Sequence, residues 1–193
     1  MLSKSPSSFL KCFVGTELRA PGCHGLFGSP AITWSLSLRQ SNRRIPSIDN
    51  DCAFFPLRVA RSPIQGWGVF AARRIPSGRK IIEYTGERIR IPVALARLRK
   101  HFRSGSRKIY MVGFSRVWSI DPSVGGSGAE LVNHSCEPNA RLRKIRGHAF
   151  VVSLRKIRPG EELSYDYRLS PDTFRIRCRC SSPNCRGFLN RYQ

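Results

Sequence analysis

Cys178-Arg179-Cys180-Ser181-Ser182-Pro183-Asn184-Cys185 lies close to the carboxy-terminal end of the chain and decides how that end is read. The C-x-C-x4-C spacing puts three thiols within eight residues. The segment around it, residues 173–193, is too short and polar to bury a core of its own, so it needs a staple. A structural Zn2+ supplies one, and it takes four ligands, thiolates at about 2.3 Å. The fourth ligand comes from elsewhere in the chain. Cys136 is the first candidate, in the tight polar run Asn133-His134-Ser135-Cys136-Glu137-Pro138-Asn139, with His148 and Cys52 as competitors. Binding there pins the carboxy-terminal segment against residues 133–139, so the metal assembles a site as well as a tail. Seven cysteines are an odd number, which disfavours a fully paired disulfide framework, and reduced thiols fit an intracellular protein. With Cys136 as a ligand, Cys12, Cys23 and Cys52 are left over.

Upstream of this segment the pattern is one of short strands between turn signals. Strands are expected at 57–60, 68–71, 80–84, 109–112, 117–120 and, most clearly, 149–154, with turns at Pro76-Ser77-Gly78 and Arg158-Pro159-Gly160. A helix is expected over 93–102, with Val93, Leu95, Leu98 and Phe102 sharing one side. The fold class is therefore mainly β, and a largely antiparallel assembly follows more easily than a doubly wound sheet. Residues 1–53 differ in kind: serine-rich, almost free of acids and without a lasting period. They read as a disordered or targeting-like tail ahead of a domain at 54–172 and the metal-bound segment at 173–193. An organelle transit peptide or a start codon placed too far upstream has the same composition.

Four blocks in this order carry a resemblance. They are Gln65-Gly66-Trp67-Gly68-Val69-Phe70-Ala71, Glu83-Tyr84-Thr85-Gly86-Glu87, the 133–139 run, and Gly160-Glu161-Glu162-Leu163-Ser164-Tyr165-Asp166-Tyr167 followed by the cysteine triplet. Together they make the chain similar to a SET-domain protein lysine methyltransferase with a post-SET zinc segment. The resemblance implies a SET-domain fold of small sheets with a knot-like active site, where the third and fourth blocks pass through one another. S-adenosyl-L-methionine would bind in one cleft, and a protein lysine would enter from the opposite face through a narrow channel. Gln65, Trp67 and Gly68 would meet the methionine end of the cofactor, and Tyr110 would line the cofactor end of the channel. Asn133 would hydrogen-bond the cofactor, His134 contact its adenine, and Arg179 lie against the adenine from the post-SET side. Tyr167 matches the catalytic tyrosine of the family. Tyr165 matches the position where tyrosine or phenylalanine sets how many methyl groups are added, and tyrosine there points to mono- or dimethylation. The chain departs from the family at Glu130 and Leu131, where a basic residue and then an aromatic are usual.

Charge bears on partners. Lys and Arg total 34 against 12 Asp and Glu, a formal net charge of +22. Over residues 54–193 the ratio is 28 to nine, so the domain itself is basic, and Arg97, Arg99, Lys100, Arg103, Arg107 and Lys108 crowd the segment expected to vary with substrate. Such a surface repels a bare lysine-rich tail and attracts nucleic acid, so the target lysine is expected on a histone, nucleoid or ribosomal protein. A non-catalytic basic module that holds nucleic acid or chromatin is the competing reading. No run of 18 apolar residues exists, which excludes a membrane-spanning helix. Placement is expected to be intracellular: nucleus or chromosome in a eukaryote, cytoplasm or nucleoid in a bacterium, or an organelle if the tail targets one. Oligomeric state is not legible.

Overall fold

Residues 45–105, 110–169 and 175–191 are described by a computed structural model of the chain and fall in one unit, Asn42–Gln193. Of the tail expected at 1–53, residues 1–44, with Cys12 and Cys23, lie outside the described residues, as do Arg107 and Lys108.

The domain is built from three small sheets. β1 (Leu57–Arg61) pairs antiparallel with β2 (Trp67–Ala71). β3 (Lys80–Glu83), β7 (Asn133–His134), β8 (Ala140–Ile145), β9 (His148–Ser153) and β10 (Ser164–Tyr165) form a five-stranded sheet in the order β3-β9-β8-β10-β7. β4 (Glu87–Arg90), β5 (Val112–Gly113) and β6 (Trp118–Asp121) form the third, in the order β4-β6-β5. β9 reads almost entirely apolar because five of its six residues are buried, as a central strand covered on both faces requires. Val69, Ile81, Ile82, Val151, Ile157 and Leu163 close the core between the first two sheets.

Pairing is antiparallel throughout except at β10, which runs parallel to both of its neighbours. β7 and β8 are consecutive in the chain, yet β10 lies between them. The connecting residues 135–139 therefore cross over an inserted strand, the knot-like arrangement expected from the motifs. Asn139 holds the insertion in place. Its Nδ2 donates to Glu162 O at 2.7 Å, and its Oδ1 accepts from Ser164 N at 2.9 Å.

Among the described residues the one α-helix, α1 (Ile91–Arg103), begins with proline in its first turn, where a missing N–H costs nothing, and carries Lys100 and Arg103 in its last turn, at the negative end of the helix dipole. Its buried residues are Ala94 and Phe102. Val93 and Leu95, expected on the inner face, are each 44% exposed. The periodicity of 3.6 explains the difference: Ala94, Leu98 and Phe102 stack at i, i+4 and i+8, which leaves Val93 and Leu95 on the flanks. Arg97 bolts the helix to the third sheet, its Nη1 donating to Glu87 Oε2 and Asp121 Oδ2 at 2.7 Å each. Burial works to raise the Asp121 carboxyl, but hydrogen bonds from Arg97 and Ser123 outweigh it and hold it below the usual range.

Two other expectations shift. The strand expected at 109–112 is seen as Val112–Gly113, with Tyr110 outside it. Residues upstream of 54 also pack on the domain: Asp49 N donates to Ser127 O at 2.9 Å, and Ile48 and Cys52 lie against the core.

Leu163 is fully buried, and its N–H bonds Val69 O at 2.8 Å just ahead of the inserted strand. Leu163→Ala is expected to cost about 3 kcal/mol through lost burial and a cavity, read as a lower midpoint in urea denaturation.

Candidate active site

The inserted strand delivers Tyr165 and Tyr167 to the floor of a groove of about 940 Å³, whose walls include Tyr110, Leu95 and Leu98. The Tyr165 and Tyr167 rings lie 4.9 Å apart, and His134 packs edge-on against Tyr167 at 5.4 Å. The Tyr167 hydroxyl donates to Val132 O at 2.9 Å, which leaves its oxygen lone pairs free to accept. Burial, with the charges of Tyr165, Tyr110 and Glu162, pushes the Tyr167 phenol well above its ordinary value. Burial and the charge of Glu130 do the same to Tyr165. Both are neutral phenols at physiological pH: they orient and polarise, and they are not bases.

Behind the tyrosines, Asn133 gathers the first, third and fourth motifs. Its Nδ2 donates to Gln65 O (3.3 Å), Trp67 O (3.1 Å) and Glu162 Oε1 (2.8 Å). Gly68 is buried, and a Cβ there would strike the Glu162 carboxylate, which accepts from Ser62 Oγ at 2.9 Å. Glycine is thus required by the close approach. Gly66 takes φ +56 with open space above it, so the Gln65–Trp67 turn presents bare backbone. Glu162 was not singled out in the sequence. Its only signal was an acid kept inside a motif of an acid-poor chain.

His134 is buried, and burial lowers its imidazole to about 4 against the pull of Asp166, so it is neutral. Its Nδ1 accepts from Tyr167 N at 3.2 Å, which places the ring proton on Nε2, 3.4 Å from Cys136 Sγ. The side chain thus joins the tyrosine strand to the cysteine cluster. Arg179 is exposed between its two cysteines. Glu130 is partly buried: burial raises its carboxyl although Oε2 accepts from Gly128 N at 2.9 Å.

Cys136, Cys178, Cys180 and Cys185 bring their sulfurs within 4.8 Å of one another, and among the described residues this is the group able to hold a metal. Cys136 Sγ lies 3.8 Å from Cys178 Sγ and 4.0 Å from Cys185 Sγ. A tetrahedron with Zn–S bonds of about 2.3 Å has edges of about 3.8 Å, so the donor set and its spacing fit Zn2+. Neither His148 nor Cys52 belongs to the cluster: His148 Nδ1 pairs with Glu83 Oε1 at 2.6 Å, and Cys52 Sγ reaches Asp49 Oδ2 at 3.5 Å.

A second clasp works beside the thiols. Arg186 Nη2 and Arg191 Nε pair with the two oxygens of Asp166, at 2.7 and 3.1 Å, one residue from Tyr167. Burial works to raise the Asp166 carboxyl, but the hydrogen bonds of Arg186 and the Arg168 N–H, with the Arg186 charge, hold it low. Ser182 Oγ adds a bond to Glu137 Oε2 at 2.6 Å. None of these partners carried a sequence signal, because ion pairs between distant segments have no spacing.

A sequence profile described as SET domain matches residues 66–168. The chain is 39% identical over 162 residues to a protein of Saccharomyces cerevisiae named histone-lysine N-methyltransferase, H3 lysine-4 specific, covering 80% of this chain and 14% of that protein. Proteins of the same name from Eremothecium gossypii and Emericella nidulans are 40% identical over 142 residues, covering 70% of this chain and 15% and 12% of theirs. The chain thus spans about a seventh of the length of these curated relatives.

Metal removal separates the two clasps. A strong chelator is expected to loosen residues 178–185, read as faster proteolysis within that stretch, while the Asp166 pairs with Arg186 and Arg191 persist and the β-sheet circular dichroism is kept. Cys180→Ser is expected to do the same without chelator.

Proposed function

The chain belongs to the SET-domain family, and on that premise we propose that it is an S-adenosyl-L-methionine-dependent methyltransferase acting on the ε-amine of a lysine in a protein. The observation that carries this reading is the pair Tyr165, buried, and Tyr167, half-buried, at the floor of a groove and tied through His134 to the cysteine cluster. S-adenosyl-L-methionine, when bound, supplies an electrophilic methyl group. The residues present fit such a group: the Gln65–Trp67 turn offers bare backbone beside the Asn133 amide, and the Tyr167 oxygen is free to accept, which suits a methyl polarised by positive sulfur. Gln65, Trp67, Gly68, Asn133 and His134 would hold it, with Arg179 and Tyr110 at its edges. Cys136, Cys178, Cys180 and Cys185 would hold one structural Zn2+ that keeps residues 173–193 over the site.

The task left to the chain is to present an uncharged amine. A free lysine has a pKa near 10.4, so roughly one in a thousand is neutral near pH 7.4, an opposition of about 4 kcal/mol. Burial that holds both tyrosines protonated also disfavours an ammonium, so no strong base is needed. The Tyr167 oxygen aligns the reacting groups, fixed by its bond to Val132 O. Tyr165 limits the space and hydrogen bonds available to a methylated product. Tyr167→Phe is expected to lower the rate of methyl transfer by about 100-fold or more with an unchanged unfolding midpoint, and Tyr165→Phe to shift mass-spectrometric products toward higher methylation. Full activity of Tyr167→Phe sinks the assignment.

The reading for partners is a lysine of a nucleic-acid-associated protein, with placement in nucleus or nucleoid. Arg88 and Arg90 alternate on β4 and stand over Phe114 and Trp118 at 4.7 Å each, where Lys144 also approaches Phe114. Among the described residues no ion pair neutralises these three, which supports phosphate contact. Arg97, in contrast, is committed to Glu87 and Asp121. Binding to duplex DNA or RNA is expected to fall about 10-fold or more between 50 and 200 mM salt. A flat salt response removes this contact.

A further inference from the structure

The groove above Tyr165 and Tyr167 carries a charge that a lysine donor must overcome. Its charged lining is Arg141, Arg143, Lys144, Arg168 and Asp166. The four cations are exposed, and none of them enters an ion pair among the described residues. Arg141 and Arg143 are two apart on β8 and so leave the sheet on one face. Arg168 follows Tyr167 directly, at φ +49, with its N–H on Asp166 Oδ1 at 3.1 Å. The one acid among the described lining residues, Asp166, is spent: Arg186 and Arg191 occupy both of its oxygens. Between these charges the walls are apolar, with Leu95, Leu98, Leu154 and Leu169. The groove therefore alternates apolar and cationic positions, and its described lining carries a net positive charge.

That field has two effects on a substrate. It opposes entry of an ammonium, which assists deprotonation once the lysine is bound but weakens binding of the lysine by itself. It also repels a segment whose neighbours are lysine and arginine, because like charges facing across an interface cost several kcal/mol. The binding energy has to come from the flanks. We propose that this groove selects a lysine set in an acidic polypeptide segment, with Asp or Glu side chains on either side pairing with Arg141, Arg143 and Arg168. This rests on the reading of the tyrosine pair as a lysine methylation site, and it narrows the substrate to a class unlike a basic tail. Leu95 and Leu154, each more than 40% exposed, offer apolar contact between the charged positions.

The test separates binding from transfer. Two labelled peptides of equal length carry a central methionine in place of lysine, one flanked by four Asp and Glu, the other by four Lys and Arg. Fluorescence anisotropy with the full chain is expected to show the acidic peptide bound at least about 10-fold more tightly at 50 mM NaCl, with the gap closing to less than about threefold at 500 mM as screening shortens the reach of charge. Arg141→Gln/Arg143→Gln is expected to reduce the preference about fivefold, and Arg141→Glu/Arg143→Glu to reverse it. Both replace exposed side chains, and an unchanged melting temperature verifies the fold. Equal binding, or preference for the basic peptide, overturns the inference and leaves the methyltransferase reading intact. Displacement of the acidic peptide by stoichiometric duplex DNA or single-stranded RNA also overturns it, since the groove cations then serve nucleic acid. The lysine forms of both peptides are then offered with labelled S-adenosyl-L-methionine. Retained acidic preference with no transfer to lysine sinks the enzymatic reading while the groove selectivity stands.

Discussion

Everything in the site depends on keeping Ser164 and Tyr165 between two strands that are neighbours in sequence. A strand inserted under its own neighbours' connection has backbone groups that water cannot reach, and each must find a partner. The buried Asn139 side chain supplies one on each side, accepting from Ser164 N and donating to Glu162 O, while Glu161 Oε1 takes its other amide hydrogen at 2.9 Å. Ser135 N closes the far side on Tyr165 O at 3.3 Å. With those bonds made, Tyr165 faces Tyr167 and the groove. A slip of one residue would turn the tyrosines to the other face.

The few acids of this basic chain are placed where segments meet. Glu162 ties Ser62 and Asn133 together across the Gln65–Trp67 turn. Asp166 holds Arg186 and Arg191, and Glu137 receives Ser182 and Asn184 from the same carboxy-terminal segment. Glu87 and Asp121 secure the helix through Arg97. Arg155 likewise pairs with Glu161, whereas Arg141, Arg143, Lys144 and Arg168 enter no ion pair among the described residues, and the groove is left positive. Glu130 belongs to a different group. It is a carboxylate where the family usually carries a base, partly buried, and its charge reaches the Tyr84 and Tyr165 hydroxyls from behind the groove.

The carboxy-terminal segment is joined to the domain by thiols and by ion pairs, and these fail under different conditions. Thiolate binding to a metal is a folding event for a segment that lacks a core. The Asp166 pairs need an ionised carboxylate. Because that carboxyl is held below its unfolded value, its contribution is complete above the ordinary carboxylate range and is lost as pH falls through the depressed value. At neutral pH both clasps act together, and the neutral His134 ring connects the cysteine cluster to the Tyr167 backbone.

Spacing alone determined the cysteine triplet, the strand-rich class, the turns and the four motif blocks, because these are local patterns that chemistry fixes over a few residues. Cys136 was legible as the first candidate for a fourth ligand, with His148 and Cys52 left open until the structure placed them elsewhere, and Leu95 was misplaced because an apolar residue on a helix flank looks like one on its face. Tertiary structure alone decided the parallel insertion of β10, the tautomer of His134, the commitment of Arg97 to two acids and the freedom of Arg141, Arg143 and Arg168. Each of these depends on which distant groups share a volume, and a charge has no legible role until the structure shows whether an opposite charge stands beside it.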